Sequence, residues 1–158
     1  MKRLTALAVL GALALTGCTK PVDLRENVEV SDVVSGWFDA GVVNGQNKIV
    51  PSSTFRLKKK ANIEIKPIAL NIVFKNADGS ESSFEDIYIQ RVAFEGQQTE
   101  PITVRSKNGY TADPPQTRAD MLKNSQFKDV AIQVFAKQSS AQWVELRRVV
   151  IERQILTR

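Results

Sequence analysis

The chain has 158 residues, a formal net charge of +5, one cysteine and no histidine. Without histidine the Ser-His-Asp and Cys-His nucleophilic sets cannot form, and with a single thiol neither can the usual zinc and transition-metal ligand sets; carboxylate-only chemistry of the glycosidase kind is the class left over. The basic excess, 22 against 17, is mild and spread along the chain, unlike the dense stripe of a nucleic-acid binder, so no nucleic-acid partner is expected.

Met1-Lys2-Arg3 opens the chain with charge, residues 4–15 are an apolar run dominated by Leu and Ala, and Leu15-Thr16-Gly17-Cys18 closes it. This is the layout of a secretory signal peptide, too short for a comfortable transmembrane helix. The stretch Leu-Thr-Gly-Cys resembles the lipobox of bacterial lipoprotein precursors. That resemblance covers residues 1–18 and implies a thioether-linked diacylglycerol on Cys18, cleavage just before it, and attachment to a membrane through the N-terminal lipid. Thr19 is not the aspartate that resembles an inner-membrane retention signal in enteric bacteria. The resemblance therefore implies the outer membrane, facing the periplasm, in a source with two membranes. The expected organisation is a signal at 1–17, a lipidated tether at 18–26 and one domain at 27–158. About eight tether residues reach at most roughly 28 Å, so the domain stays near its bilayer.

Val28, Val30, Val33 and Val34 begin the folded part. Trp37 and Phe38 lie between Gly36 and Gly41, which predicts a bend that buries a large aromatic area. Asn44-Gly45 is a turn signal, since both residues tolerate positive φ. Residues 49–60 read as a half-buried strand, Phe55 and Leu57 alternating with Arg56 and Lys58. The clearest period of two follows at Ile68, Leu70, Ile72 and Phe74, a central strand. Residues 76–80 are turn chemistry. Residues 84–94 form the next strand, and its apolar phase changes near Arg91, from Ile87 and Ile89 to Val92 and Phe94; a β-bulge, or burial on both faces, would explain this. A short strand at 102–104 comes next. Thr117 can cap one short helix over 117–124, with Met121 and Leu122 inward. Residues 130–135 and 143–155 read as strands joined by a turn at Ser139-Ser140. About seven strands and one short helix predict an all-β fold, an antiparallel β-sandwich of immunoglobulin-like architecture.

Four groups are candidate sites. Arg56, Lys58, Lys59 and Lys60 could form a patch for an anionic surface, against the plainer reading of a solvated strand end. The irregular stretch 106–115, with Lys107, Asn108 and Tyr110, is the preferred recognition loop. Glu81, Glu85 and Asp86 are read as structural because no calcium-loop spacing surrounds them. Trp37, Phe38 and Trp143 are read as core rather than as a binding groove. No metal or cofactor is expected. The function that fits is a non-enzymatic envelope lipoprotein, an accessory or adaptor for an envelope protein complex. The competing class is a carbohydrate or small-ligand binding sandwich, which needs an exposed aromatic platform.

Overall fold

The structure is a computed structural model, and it describes residues 22–80 and 83–157. Nine strands and two short helices are present among the described residues: α1 (Leu24–Asn27), β1 (Val28–Val43), β2 (Gln46–Lys59), β3 (Ile68–Asn76), β4 (Ser83–Val92), β5 (Ile102–Arg105), β6 (Tyr110–Ala112), α2 (Arg118–Lys123), β7 (Val130–Lys137), β8 (Val144–Val150) and β9 (Ile155–Leu156). They build two sheets. Sheet A runs β5-β2-β1-β9, with β6 also paired to β2; sheet B runs β4-β3-β7-β8. The expected all-β sandwich is observed, and every pairing is antiparallel except β1 with β9.

Sheet B follows from its alternation. Ile68, Leu70, Ile72 and Phe74 on β3 are buried, as are Val130, Ile132, Val134 and Ala136 on β7, so the even positions of both strands face the core. Opposite β3, Ile68 pairs with Val92 and Leu70 with Ile89. Two residues of β4, Gln90 and Arg91, therefore stand against one of β3, and the expected bulge near Arg91 is in place.

Sheet A departs from the reading in one respect. Residues 28–43 do not bend into two pieces at Gly36; they form one strand of 16 residues. Two bulges bring the apolar groups inward. Between Ser31 and Val34 the register against β2 slips, with Asp32 at φ 50°. The slip moves the buried phase from Val28 and Val30 to Ser35 and Trp37. A second slip lies between Asp39 and Val42, where Gly41 takes φ 80°, a value an L side chain resists. Asn44 and Gly45, both at positive φ, close the hairpin as the turn signal requires. Gly36 is needed for a different reason: a Cβ there would lie 2.7 Å from Leu156 Cγ. Its bareness admits β9, which Trp37 N anchors by donating to the Gln154 carbonyl at 2.7 Å.

The inward faces merge in one core around Trp37, Phe55, Phe74, Ile49 and Leu57. The helix α2 is built as the sequence predicts. Thr117 Oγ1 accepts from Asp120 N, Thr117 N donates to the Asp120 carboxylate, and Met121 and Leu122 are buried. Residues 22–26, read as tether, already belong to the edge of the fold: Asp23 caps α1 and Leu24 is buried in the core.

Candidate functional site

Cys18, the lipidation candidate, and Glu81 lie outside the described residues. The basic group is split by strand alternation. Arg56, Lys58 and Lys60 alternate with the buried Phe55 and Leu57, whereas Lys59 shares the inner phase and sets its ammonium 5.4 Å from the Phe94 ring. Arg56 Nη1 donates to the Thr99 carbonyl at 2.7 Å, and Lys60 Nζ to the Arg25 carbonyl at 3.0 Å. Lys58 stands opposite Glu29 on β1 and bridges to Gln98 on its other side. Arg56, Lys58 and Lys59 are on an interior strand and Lys60 follows its end, so protecting a free edge is not their role.

The stretch 106–115 is held along most of its length. Ser106 N donates to the Pro51 carbonyl, Asn108 N to Ser106 Oγ at 3.0 Å, and Lys48 Nζ to the Lys107 carbonyl at 2.8 Å. A Cβ on Gly109 would overlap the Ile49 carbonyl oxygen. Tyr110 is half-buried, with its ring centroid 5.5 Å from that of Trp37 and 4.7 Å from that of Phe127, and its hydroxyl meets the backbone of Lys128. Tyr110 and Phe127 wall a cleft of about 130 Å³ with Met121 and Gln116.

Two clusters were missed by the sequence reading. Arg153 binds Asp129 through two nitrogens, at 2.7 and 3.1 Å, and reaches the Leu122 carbonyl at 3.2 Å; the hydrogen bond to Asp129 raises its pKa above the ordinary value. Arg118 pairs with Asp39, tying α2 to the second bulge of β1. Asp120 and Asp78 are held below their ordinary carboxyl pKa, chiefly by hydrogen bonds from Thr117 and Ser80 respectively. All are structural ties. Among the described residues no group of three or more His, Cys, Asp or Glu side chains is placed to hold a metal ion, and no helix is long and apolar enough to cross a membrane.

The open surface lies elsewhere. β4 and β5 are the outer strands of their sheets on one flank of the sandwich. Between them runs a cleft of about 510 Å³ lined by Asp86, Ile87, Tyr88, Ile89, Thr103, Val104, Arg105 and Lys107. Lys107 is thus brought to this flank, while Tyr110 is turned to the Trp37 cluster. Arg105 also lies 3.7 Å above the Phe38 ring, which accounts for Phe38 as covered surface. Tyr88 is 57% exposed and Trp143 38% exposed, with ring centroids 6.1 Å apart, edge to face; Lys137 Nζ sits 4.7 Å over the Trp143 ring. Of the three aromatics read as core, Trp37 is core and Trp143 is not. The signal for Tyr88 was present: it occupies the outward phase between Ile87 and Ile89.

No protein-family model matches the chain, and no curated protein matches it. Among solved structures, the X-ray structure of Northeast Structural Genomics Consortium target SoR45 is similar, at 12% identity and a TM-score of 0.40, over 81% of this chain and 88% of that one.

Proposed function

We propose that the protein is a lipid-anchored, non-catalytic binding module of the cell envelope, an accessory or adaptor whose partner is another envelope protein. Cys18 carries the anchor, facing the periplasm from the outer membrane in a two-membrane source. The observation that supports the reading is the β4–β5 flank. Both of its strands present ladder groups that no neighbouring strand of the described chain covers, and such an edge is a template for an added strand. Ile87 and Ile89 give the cleft an apolar floor, Tyr88 an aromatic contact of the kind enriched at interfaces, and Arg105, Lys107 and Asp86 a charged rim. An extended segment of a partner protein fits that chemistry. The exposed Tyr88–Trp143 pair supports a second reading, a saccharide stacked on aromatic faces.

A photo-crosslinker placed at Tyr88 or at Arg105, in intact cells, should yield a discrete protein adduct. The same probe at Asn44, on the β1–β2 turn, should not. Adducts that carry only glycan would select the second reading. Failure of both flank positions to trap anything would remove the flank as the contact surface.

A further inference from the structure

We infer that one end of the sandwich rests on the lipid surface, with Trp143 set at headgroup depth. The inference rests on the proposed acylation of Cys18 and adds to it which face the anchor presents to the bilayer. The described chain begins at Val22, four residues beyond Cys18. Four residues span at most about 14 Å even when extended, so the acylated residue lies within that distance of Val22. Val22, Asp23 and Leu24 form one wall of a cleft of about 250 Å³ whose other wall is Gln138, Ala141, Gln142 and Val144. The chain therefore enters the domain beside the β7–β8 connection, and Trp143 is in that connection. The end is kept together by Lys60 Nζ on the Arg25 carbonyl and by Lys60 N on the Asn27 carbonyl.

The chemistry of this end suits an interface between water and lipid. An indole at the membrane surface keeps its ring against the acyl boundary and its N–H among headgroups. Lys137, stacked over that indole, has an apolar stem and a charged tip that can follow it and meet a lipid phosphate. Arg25, Lys58, Lys60 and Lys66 share the end with Asp23, Glu26 and Glu29, Glu29 standing opposite Lys58, so the charge there is mixed and Trp143 makes the contact rather than a uniform basic field. The β4–β5 flank meets this end at Tyr88, whose ring touches Trp143, and extends from there to Arg105 and Lys107.

The chain has two tryptophans, and Trp37 is 0% exposed, so intrinsic fluorescence separates the two. The full acylated protein is placed in phosphatidylethanolamine–phosphatidylglycerol vesicles whose lipids are brominated either near the headgroup or near the bilayer centre. Bromination near the headgroup should remove the Trp143 share of the emission, bromination at the centre should remove little, and Trp143→Phe should abolish the difference. Three results overturn the inference. One is emission that bromination leaves unchanged in protein that sediments with the vesicles. Another is quenching that survives Trp143→Phe. The third, absence of fatty-acid label on the wild type, removes the anchor itself and is read separately from the other two.

Discussion

Trp37 and Trp143 are the same side chain in opposite surroundings. Trp37 is wholly buried, enclosed by Tyr110 and Phe127 at centroid distances of 5.5 and 4.7 Å, in the region where β1, β6 and the segment after α2 converge. Trp143 lies in the connection that leads into β8, over a third exposed, touching Tyr88 edge to face. The first region is fixed from several sides: by the Tyr110 hydroxyl on the Lys128 backbone, by Arg153 on Asp129, and by α2 through Arg118 on Asp39. The second is held by two ring contacts. Aromatic content alone therefore does not mark a site. What separates them is whether the backbone around the ring is committed to holding it.

The largest effect should come from emptying the first region. Trp37→Ala removes the largest fully buried side chain, and such truncations cost about 3–5 kcal/mol. Urea unfolding of residues 19–158 measures it, and a loss under about 1 kcal/mol would show that the region is not the keystone the contacts describe. Trp37→Phe should cost much less. The indole N–H has no hydrogen-bond acceptor among the described residues, so the ring's burial is already partly offset by an unmet donor.

Gly109→Ala attacks the same region from its backbone. The added methyl meets the Ile49 carbonyl, so Tyr110 must withdraw with its strand, and overpacking of this kind costs about 1–3 kcal/mol. Near-UV circular dichroism should report loosened tyrosine and tryptophan packing alongside the lower stability. An unchanged aromatic signal would mean that β6 does not depend on that close approach.

How much of this was legible depends on where the period of two survives. Sheet B was readable at β3, where Ile68, Leu70, Ile72 and Phe74 keep one phase over the whole strand, and at β4, where the phase change near Arg91 gave away the bulge. Sheet A was harder. The slip at Asp32 interrupts the alternation, and Gly36 looks like a bend when its role is to admit Leu156. The two-residue strand β9 carries no pattern of its own and is placed by the Gln154 carbonyl. The setting of the candidate recognition residues was hidden for a related reason. Stretch 106–115 has loop composition, but Gly109 and Tyr110 are committed to packing, and nothing local in the sequence says that Trp37 stands two strands away in the same sheet.

Smaller effects belong to α2, which roofs the Trp37 region with Met121 and Leu122. Thr117→Ala removes the cap and should cost about 1 kcal/mol. The capping partner adds a pH signature. The folded state holds the Asp120 carboxyl below its ordinary pKa, so the stability it contributes is present above the unfolded value, near 4, and is lost as pH falls through the lower folded value. Asp120→Asn should therefore be less stable than wild type at pH 6, with the gap closing in acid. A gap that stays constant down to pH 2 would show that the carboxylate's charge is not what matters there.

The smallest effect on stability is expected at Trp143, and that is what sharpens the contrast. Trp143→Ala loses one edge-to-face contact with Tyr88 and the Lys137 ammonium over its ring. At this exposed site each sits near the low end of its range, about 0.5 kcal/mol. A net loss below about 1 kcal/mol should result, against several for Trp37→Ala. The two substitutions should rank the other way in any assay of surface contact, whether headgroup-depth quenching or crosslinking from Tyr88. Were Trp143→Ala to unfold the domain as readily as Trp37→Ala, the exposed pair would be part of the framework, and both the saccharide reading and the membrane-facing end would lose their principal residue.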